Sequence, residues 1–199
     1  MRYTASAIIM TLISVIALCQ VVCAEPPTQV IMFQPAVPKG RPLDGSCWTG
    51  SIATDRPGAW RCSVGNGIYD PCFSVTAAPD LVVCQSSPFT KHEVALKLTK
   101  PLPTPQKTVC KDCVWALELA DGATCTIAGT GTLAMVAGEP LRWSCSNPSC
   151  SGSSCPDVGV IGTLKVGRVW VAKEVTVRWS GASAKLLGRK SVAVRKVWR

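Results

Sequence analysis

Histidine, acid and long apolar runs are what this 199-residue chain has least of. His92 is its only imidazole, so no ligand set of two or more histidines can form within one chain. Acidic residues number 12 against 21 basic ones, and charged residues are only 17% of the total while apolar residues are 47%. That balance excludes a disordered chain, whose composition is the reverse. The phosphate-cradling glycine loop, the Walker pattern, the dinucleotide fingerprint and the G-x-S-x-G elbow are all missing, which removes the nucleotide-binding and serine-hydrolase classes that such motifs carry. Beyond residue 24 no stretch is apolar enough to span a bilayer.

What the chain does have begins at its N-terminus. Arg2 supplies a positive start, residues 5–18 are apolar except for Ser6, Thr11 and Ser14, and Val22-Cys23-Ala24 sets small residues at the positions a signal peptidase reads. Residues 1–24 are therefore expected to be a secretory signal cleaved after Ala24. The alternatives are an uncleaved anchor over residues 5–24, or lipidation at Cys19 or Cys23, for which Leu18 and Val22 are poor preceding residues.

Cleavage would take Cys19 and Cys23 from the twelve cysteines and leave ten, all between Cys47 and Cys155. An even number in an exported chain reads as a disulfide framework, since an oxidising compartment lets such bonds persist. Five bridges are expected, with pairing left open. Zinc is the competing use, because Cys110-x-x-Cys113 with Cys145, Cys150 and Cys155 offers enough thiolates. A second C-x-x-C is lacking, so neither metal nor cofactor is expected.

Sixteen glycines and 15 prolines divide the chain into short elements. Residues 25–45 hold Pro26, Pro27, Pro35, Pro38 and Pro42 and read as a linker. Asp55 before Arg56-Pro57 reads as the cap of one short helix running to Arg61 or Cys62, ended by turns at Gly65-Asn66-Gly67 and Asp70-Pro71. From there the period is two. Val94, Leu96 and Leu98 alternate with polar or small residues. Trp115, Leu117 and Leu119 do the same, and Asp121-Gly122 before residues 124–127 is the strongest hairpin signal, read as a two-residue primed turn. Residues 132–137 and 141–145 suggest another hairpin, and 169–171, 175–179 and 192–198 further strands. The expected fold is mainly β, a small disulfide-stapled sandwich or partly closed barrel over residues 46–199 with one short helix; a small α+β fold is the alternative. Trp48, Trp60 and Trp115 are expected in its core.

Basic charge is confined to one end. Residues 165–199 hold ten basic groups and one acid, Glu174, whereas residues 25–164 hold ten basic and eleven acidic groups. The strand positions Arg168, Arg178 and Arg195 read as solvated edge-strand charges. Lys185, Arg189 and Lys190, in an expected loop at Gly188, together with Arg195, Lys196 and Arg199, are the candidate binding residues, with Trp170, Trp179 and Trp198 interleaved. Their chemistry suits an anionic envelope polymer or an acidic protein. For catalysis the sequence offers little. His92 reads as a surface residue at a strand entry, Asp55 as a cap and Asp70 as a turn residue, and no carboxylate pair is singled out by spacing, so an enzyme is not expected.

The runs Ser46-Cys47-Trp48-Thr49-Gly50-Ser51, Arg56-Pro57-Gly58-Ala59-Trp60-Arg61-Cys62 and Tyr69-Asp70-Pro71-Cys72-Phe73 together resemble a group of secreted, disulfide-rich bacterial proteins in which C-W-T, R-P-x-A-W-R-C and D-P-C-F segments follow in that order. The resemblance implies export and a shared disulfide-bonded domain; it carries no reaction, ligand or site. Cys110, Cys113, Cys150 and Cys155 fall outside its pattern, which implies that the Cys110–Cys113 loop is bridged to the Cys150–Cys155 loop. Three functions are compatible with all this. The chain is read first as an exported binding module, secreted or held in the periplasm or cell envelope, that uses its basic end. The second reading is a secreted inhibitor or effector acting through disulfide-rigid loops, and the third a hydrolase using loop carboxylates.

Overall fold

A computed structural model describes residues 25–85, 87–104, 113–128, 133–181 and 183–199. The signal expected over residues 1–24 lies outside them, as does Cys110. Among the described residues there are 14 strands and no helix.

The first five long strands close on themselves. β2 (Leu43–Gly50), β3 (Ala59–Val64), β4 (Gly67–Val75), β5 (Ala78–Gln85) and β6 (Glu93–Leu98) pair antiparallel in order, and β6 returns parallel to β2 to complete a barrel. Turn chemistry sets this meander. Gly65 at φ +53 fills the first central position of the two-residue β3–β4 turn, the place that a primed turn with one left-handed residue reserves for glycine. Cys47 faces Cys62 and Cys72 faces Cys84 across neighbouring strands, and both pairs are bonded.

The helix expected from Asp55 is instead a turn running into β3. Ala59 N–H donates to the Arg56 carbonyl at 3.2 Å and Gly58 has φ +76. Pro57 thus occupies the second and Gly58 the third position of a type II turn, which needs a left-handed residue where a helix cannot tolerate one. Asp70-Pro71 does not turn the chain either. It lies inside β4 at a break in register, because Trp60 pairs with Cys72 but Cys62 with Tyr69. Another register break, at Trp48, leaves that indole 46% exposed beneath the Arg61 guanidinium, while Trp60 and Trp115 are buried as expected.

The second ring uses β7 (Ala116–Leu119), β8 (Thr124–Ile127), β11 (Trp143–Cys145), β12 (Asp157–Val166), β13 (Val169–Ser180) and β14 (Ser183–Trp198), after β9 (Met135–Val136) and β10 (Glu139–Pro140) form a small hairpin. The sheet runs β14-β13-β12-β11-β8-β7, and β7 pairs back onto β14. β1 (Gln29–Ile31), from the segment read as a linker, adds parallel to the end of β14. The β7–β8 hairpin forms at Asp121-Gly122, but with three loop residues: Leu119 N–H reaches the Ala123 carbonyl, Gly122 N–H the Leu119 carbonyl, and only Gly122 (φ +91) is left-handed. The two-residue turn of the β9–β10 hairpin has left-handed Ala137 and Gly138, the primed geometry.

Cys125 is bonded to Cys145 across β8 and β11, and Cys150 to Cys155 within a loop. The second bond overturns the bridge implied between the Cys110–Cys113 and Cys150–Cys155 loops. A five-residue separation lets one exposed loop close on itself, and Cys113 is itself disulfide-bonded. The sulfurs of Cys62, Cys72 and Cys84 lie within 4.8 Å of one another, yet all three are in disulfides and none is a thiolate. The two rings meet on a shared apolar cluster of Ala53, Ala59 and Phe73 with Trp115, Ala116 and Trp198. Phe33 wedges into it, 5.3 Å from the ring centroids of both Phe73 and Trp115.

Candidate functional site

Every candidate binding residue named from the sequence lies on β14 or directly follows it. Lys185, Arg189 and Lys190, expected in a loop at Gly188, belong to this long strand, and the chain reverses before it at Gly181 (φ +58). A bulge makes the extended run possible: Thr176 pairs with Gly188 but Val177 with Leu186, so Leu187 is the extra residue. β13 is consequently a central strand between β12 and β14, and Arg178 is not an edge charge.

Four of the six candidate cations are already engaged by acids from distant parts of the chain. Arg189 Nη1 lies 2.8 Å from Glu139, Lys196 Nζ 2.8 Å from Glu118, and Arg199 donates through Nε to Asp55 at 3.2 Å. Asp55 is therefore a link between the two rings and not a helix cap. Lys190 Nζ is shared between Asp121 at 2.7 Å and Glu174 at 3.0 Å. Its hydrogen bonds to these two carboxylates raise the ammonium above its ordinary range. Burial pushes the Glu174 carboxyl up, and the Lys190 contact only partly offsets that. At Asp121, burial also acts upward, but the bonds from Lys190 and from the Ala123 N–H outweigh it and hold the carboxyl below the usual range.

Lys185 and Arg195 have no ion pair among the described residues, and neither do Lys165, Arg168, Lys173 and Arg178. All six are exposed. Arg178 and Lys185 are direct cross-strand partners, so their side chains leave the same face a few ångströms apart, an unfavourable juxtaposition unless an anion lies between them. Lys165 reaches over the Trp170 ring at 5.7 Å, a modest cation–π contact at an exposed site.

A cleft of about 460 Å³ opens elsewhere, lined among others by Tyr69, Asp70, Gln85, His92 and Thr126. Its one buried charge is Asp70, which sequence reasoning left as a turn residue. Ser51 Oγ–H donates to one carboxylate oxygen and Ile52 N–H to the other at 3.1 Å. Burial raises its pKa despite these bonds and the charge of Arg61. Both oxygens are thus spent on pinning the 51–54 loop, which gives Asp70 a structural task. The signal for it was Asp-Pro within an otherwise apolar run; its inward direction comes from the register break and is invisible in sequence. His92 stands exposed at the mouth.

Among the described residues no helix is long and apolar enough to cross a membrane. Compared with protein-family models, curated proteins and solved structures, the chain gives no match.

Proposed function

We propose that this chain is an exported, secreted or envelope-located binding module that contacts an anionic partner, a polymer or an acidic protein, through its basic C-terminal strands. The observation that supports it is the division of labour among the cations. Arg189, Lys190, Lys196 and Arg199 are matched by internal acids, while six exposed cations on β12, β13, β14 and the β12–β13 turn have no counterpart among the described residues. Four disulfides among the described residues suit an oxidising location. The contact residues in this reading are the cross-strand pair Arg178 and Lys185, with Lys173 and Arg195 as further unmatched cations elsewhere on the same strands, and no catalytic step is involved.

Titration of the mature chain with a fluorescent heparin fragment across a salt series tests this. The affinity should fall steeply with salt, and the double variant Arg178→Glu/Lys185→Glu should bind more weakly with a log–log slope smaller by about two. Salt-independent binding by the parent chain, or no binding to heparin and to anionic vesicles alike, would overturn the proposal. A second reading, an inhibitor or effector, is favoured by one feature: the exposed loop that Cys150–Cys155 ties together is preorganised to insert into a partner. It requires a protein complex that survives high salt.

A further inference from the structure

The outer face of the second ring combines some of the unmatched cations with aliphatic side chains that a soluble polyanion would not need. Trp170, Ala172, Val192 and Val194 point into the buried core. The alternating positions therefore point outward, and the register sets them side by side: Leu164 opposite Val171, Val166 opposite Val169, and Val171 opposite Ala193. Leu164 and Val166 are 59% and 60% exposed, the largest exposures among the exposed large apolar residues. Lys173 extends this face along β13, Arg195 follows Ala193 by two residues, and Arg168 lies in the β12–β13 turn, while Lys165 pairs with Trp170 and leaves the other face. No acid occurs from Val158 to Lys173, or anywhere from Ser183 to Arg199.

Resting on the reading that the partner is anionic, we propose that the Leu164–Val166–Val169–Val171 face docks onto a lipid surface bearing anionic headgroups. The aliphatic side chains would sink into the headgroup boundary while Arg168, Lys173 and Arg195 pair with phosphates, the division used by interfacial amphipathic elements. Charge complementarity selects this occupant. A second copy would set like-charged rims together, and a sugar or nucleic-acid chain would be met by stacking rings or hydrogen-bonding groups, whereas this face offers Leu and Val.

The test is co-sedimentation of the mature chain with vesicles of phosphatidylcholine alone and of phosphatidylcholine mixed with phosphatidylglycerol, run beside the heparin titration. Binding is expected only to the mixed vesicles. Leu164→Ser/Val166→Ser should weaken it about tenfold or more while leaving heparin binding and thermal melting unchanged; Leu164→Ala alone should show a smaller loss in the same direction if the double variant melts early. Vesicle binding that ignores these substitutions yet disappears with Lys173→Glu/Arg195→Glu would overturn the docking face and spare the broader function. Heparin binding without vesicle binding would do the same, as would a dimer in solution that the serine substitutions dissociate. Failure with both probes would overturn the anionic-partner reading itself.

Discussion

Replacing Lys190 by methionine should separate a structural cation from a binding one. Glu174 sits on β13 with a side chain 3% exposed, and its Oε2 has no hydrogen-bond partner among the described residues. Lys190 is what its other oxygen contacts, at 3.0 Å, and the same ammonium holds Asp121. Breaking a buried pair by deleting one partner costs about 3–5 kcal/mol, whereas an exposed pair contributes roughly 0–1 kcal/mol. Lys190 is 55% exposed and Glu174 almost fully buried, so a loss near the middle, about 2 kcal/mol, is expected. For a domain of this size that lowers Tm by about 4–8 °C. Glu174→Gln in the same chain should restore part of it, with a coupling of about 1–2 kcal/mol in the double-mutant cycle. The pH dependence has a fixed sign. The folded pKa of Glu174 lies above its unfolded value, so the folded state takes up this proton first and gains stability as pH falls through that range. Without Lys190 the buried carboxylate is less well compensated, so the deficit of Lys190→Met should be largest near neutral pH and shrink on acidification. Thermal melts of the four chains at pH 7 and at mildly acidic pH measure all of this. Equal deficits at both pH values, or strict additivity with Glu174→Gln, would refute the reasoning, and unchanged heparin affinity is expected throughout.

Gly159 on β12 has no room for a side chain: a Cβ there would lie 2.5 Å from Leu141 Cδ1 and 2.9 Å from the Trp143 carbonyl oxygen. Gly159→Ala should therefore cost about 1–3 kcal/mol by denaturant titration, while Gly162→Ala, which meets nothing within 4 Å, should be close to neutral. Asp70→Asn removes a buried carboxyl whose folded pKa is raised, chiefly by burial. The parent chain gains stability from this group as pH falls from neutral through its raised pKa, so the stability profile of the variant should be flatter over that window; an unaltered profile would assign the pH dependence elsewhere.

The strands were legible wherever alternation met a turn residue, as at Leu117, Leu119 and Asp121-Gly122. The errors came where one residue pair supports two local readings. Pro57-Gly58 fits a helix start if Pro is weighed alone and a type II turn if Gly58 is weighed with it, and the left-handed φ decides. Lys185, Arg189 and Lys190 look like loop residues because Gly188 interrupts the pattern, yet a bulge at Leu187 absorbs the interruption and the strand continues. The candidate site was only partly legible for a different reason. Net charge along a segment counts cations but cannot subtract the acids that folding brings to them, and here those acids arrive from 50 to 144 residues away, at Glu139, Asp121, Glu118 and Asp55. Subtracting them moves the candidate surface from Arg189, Lys190, Lys196 and Arg199 to Arg178, Lys185, Lys173 and Arg195. The shift has a physical logic. Acids on β7, the β7–β8 turn and β10 neutralise the cations they reach, so the exposed charges left over on β12, β13 and β14 are the ones open to a partner.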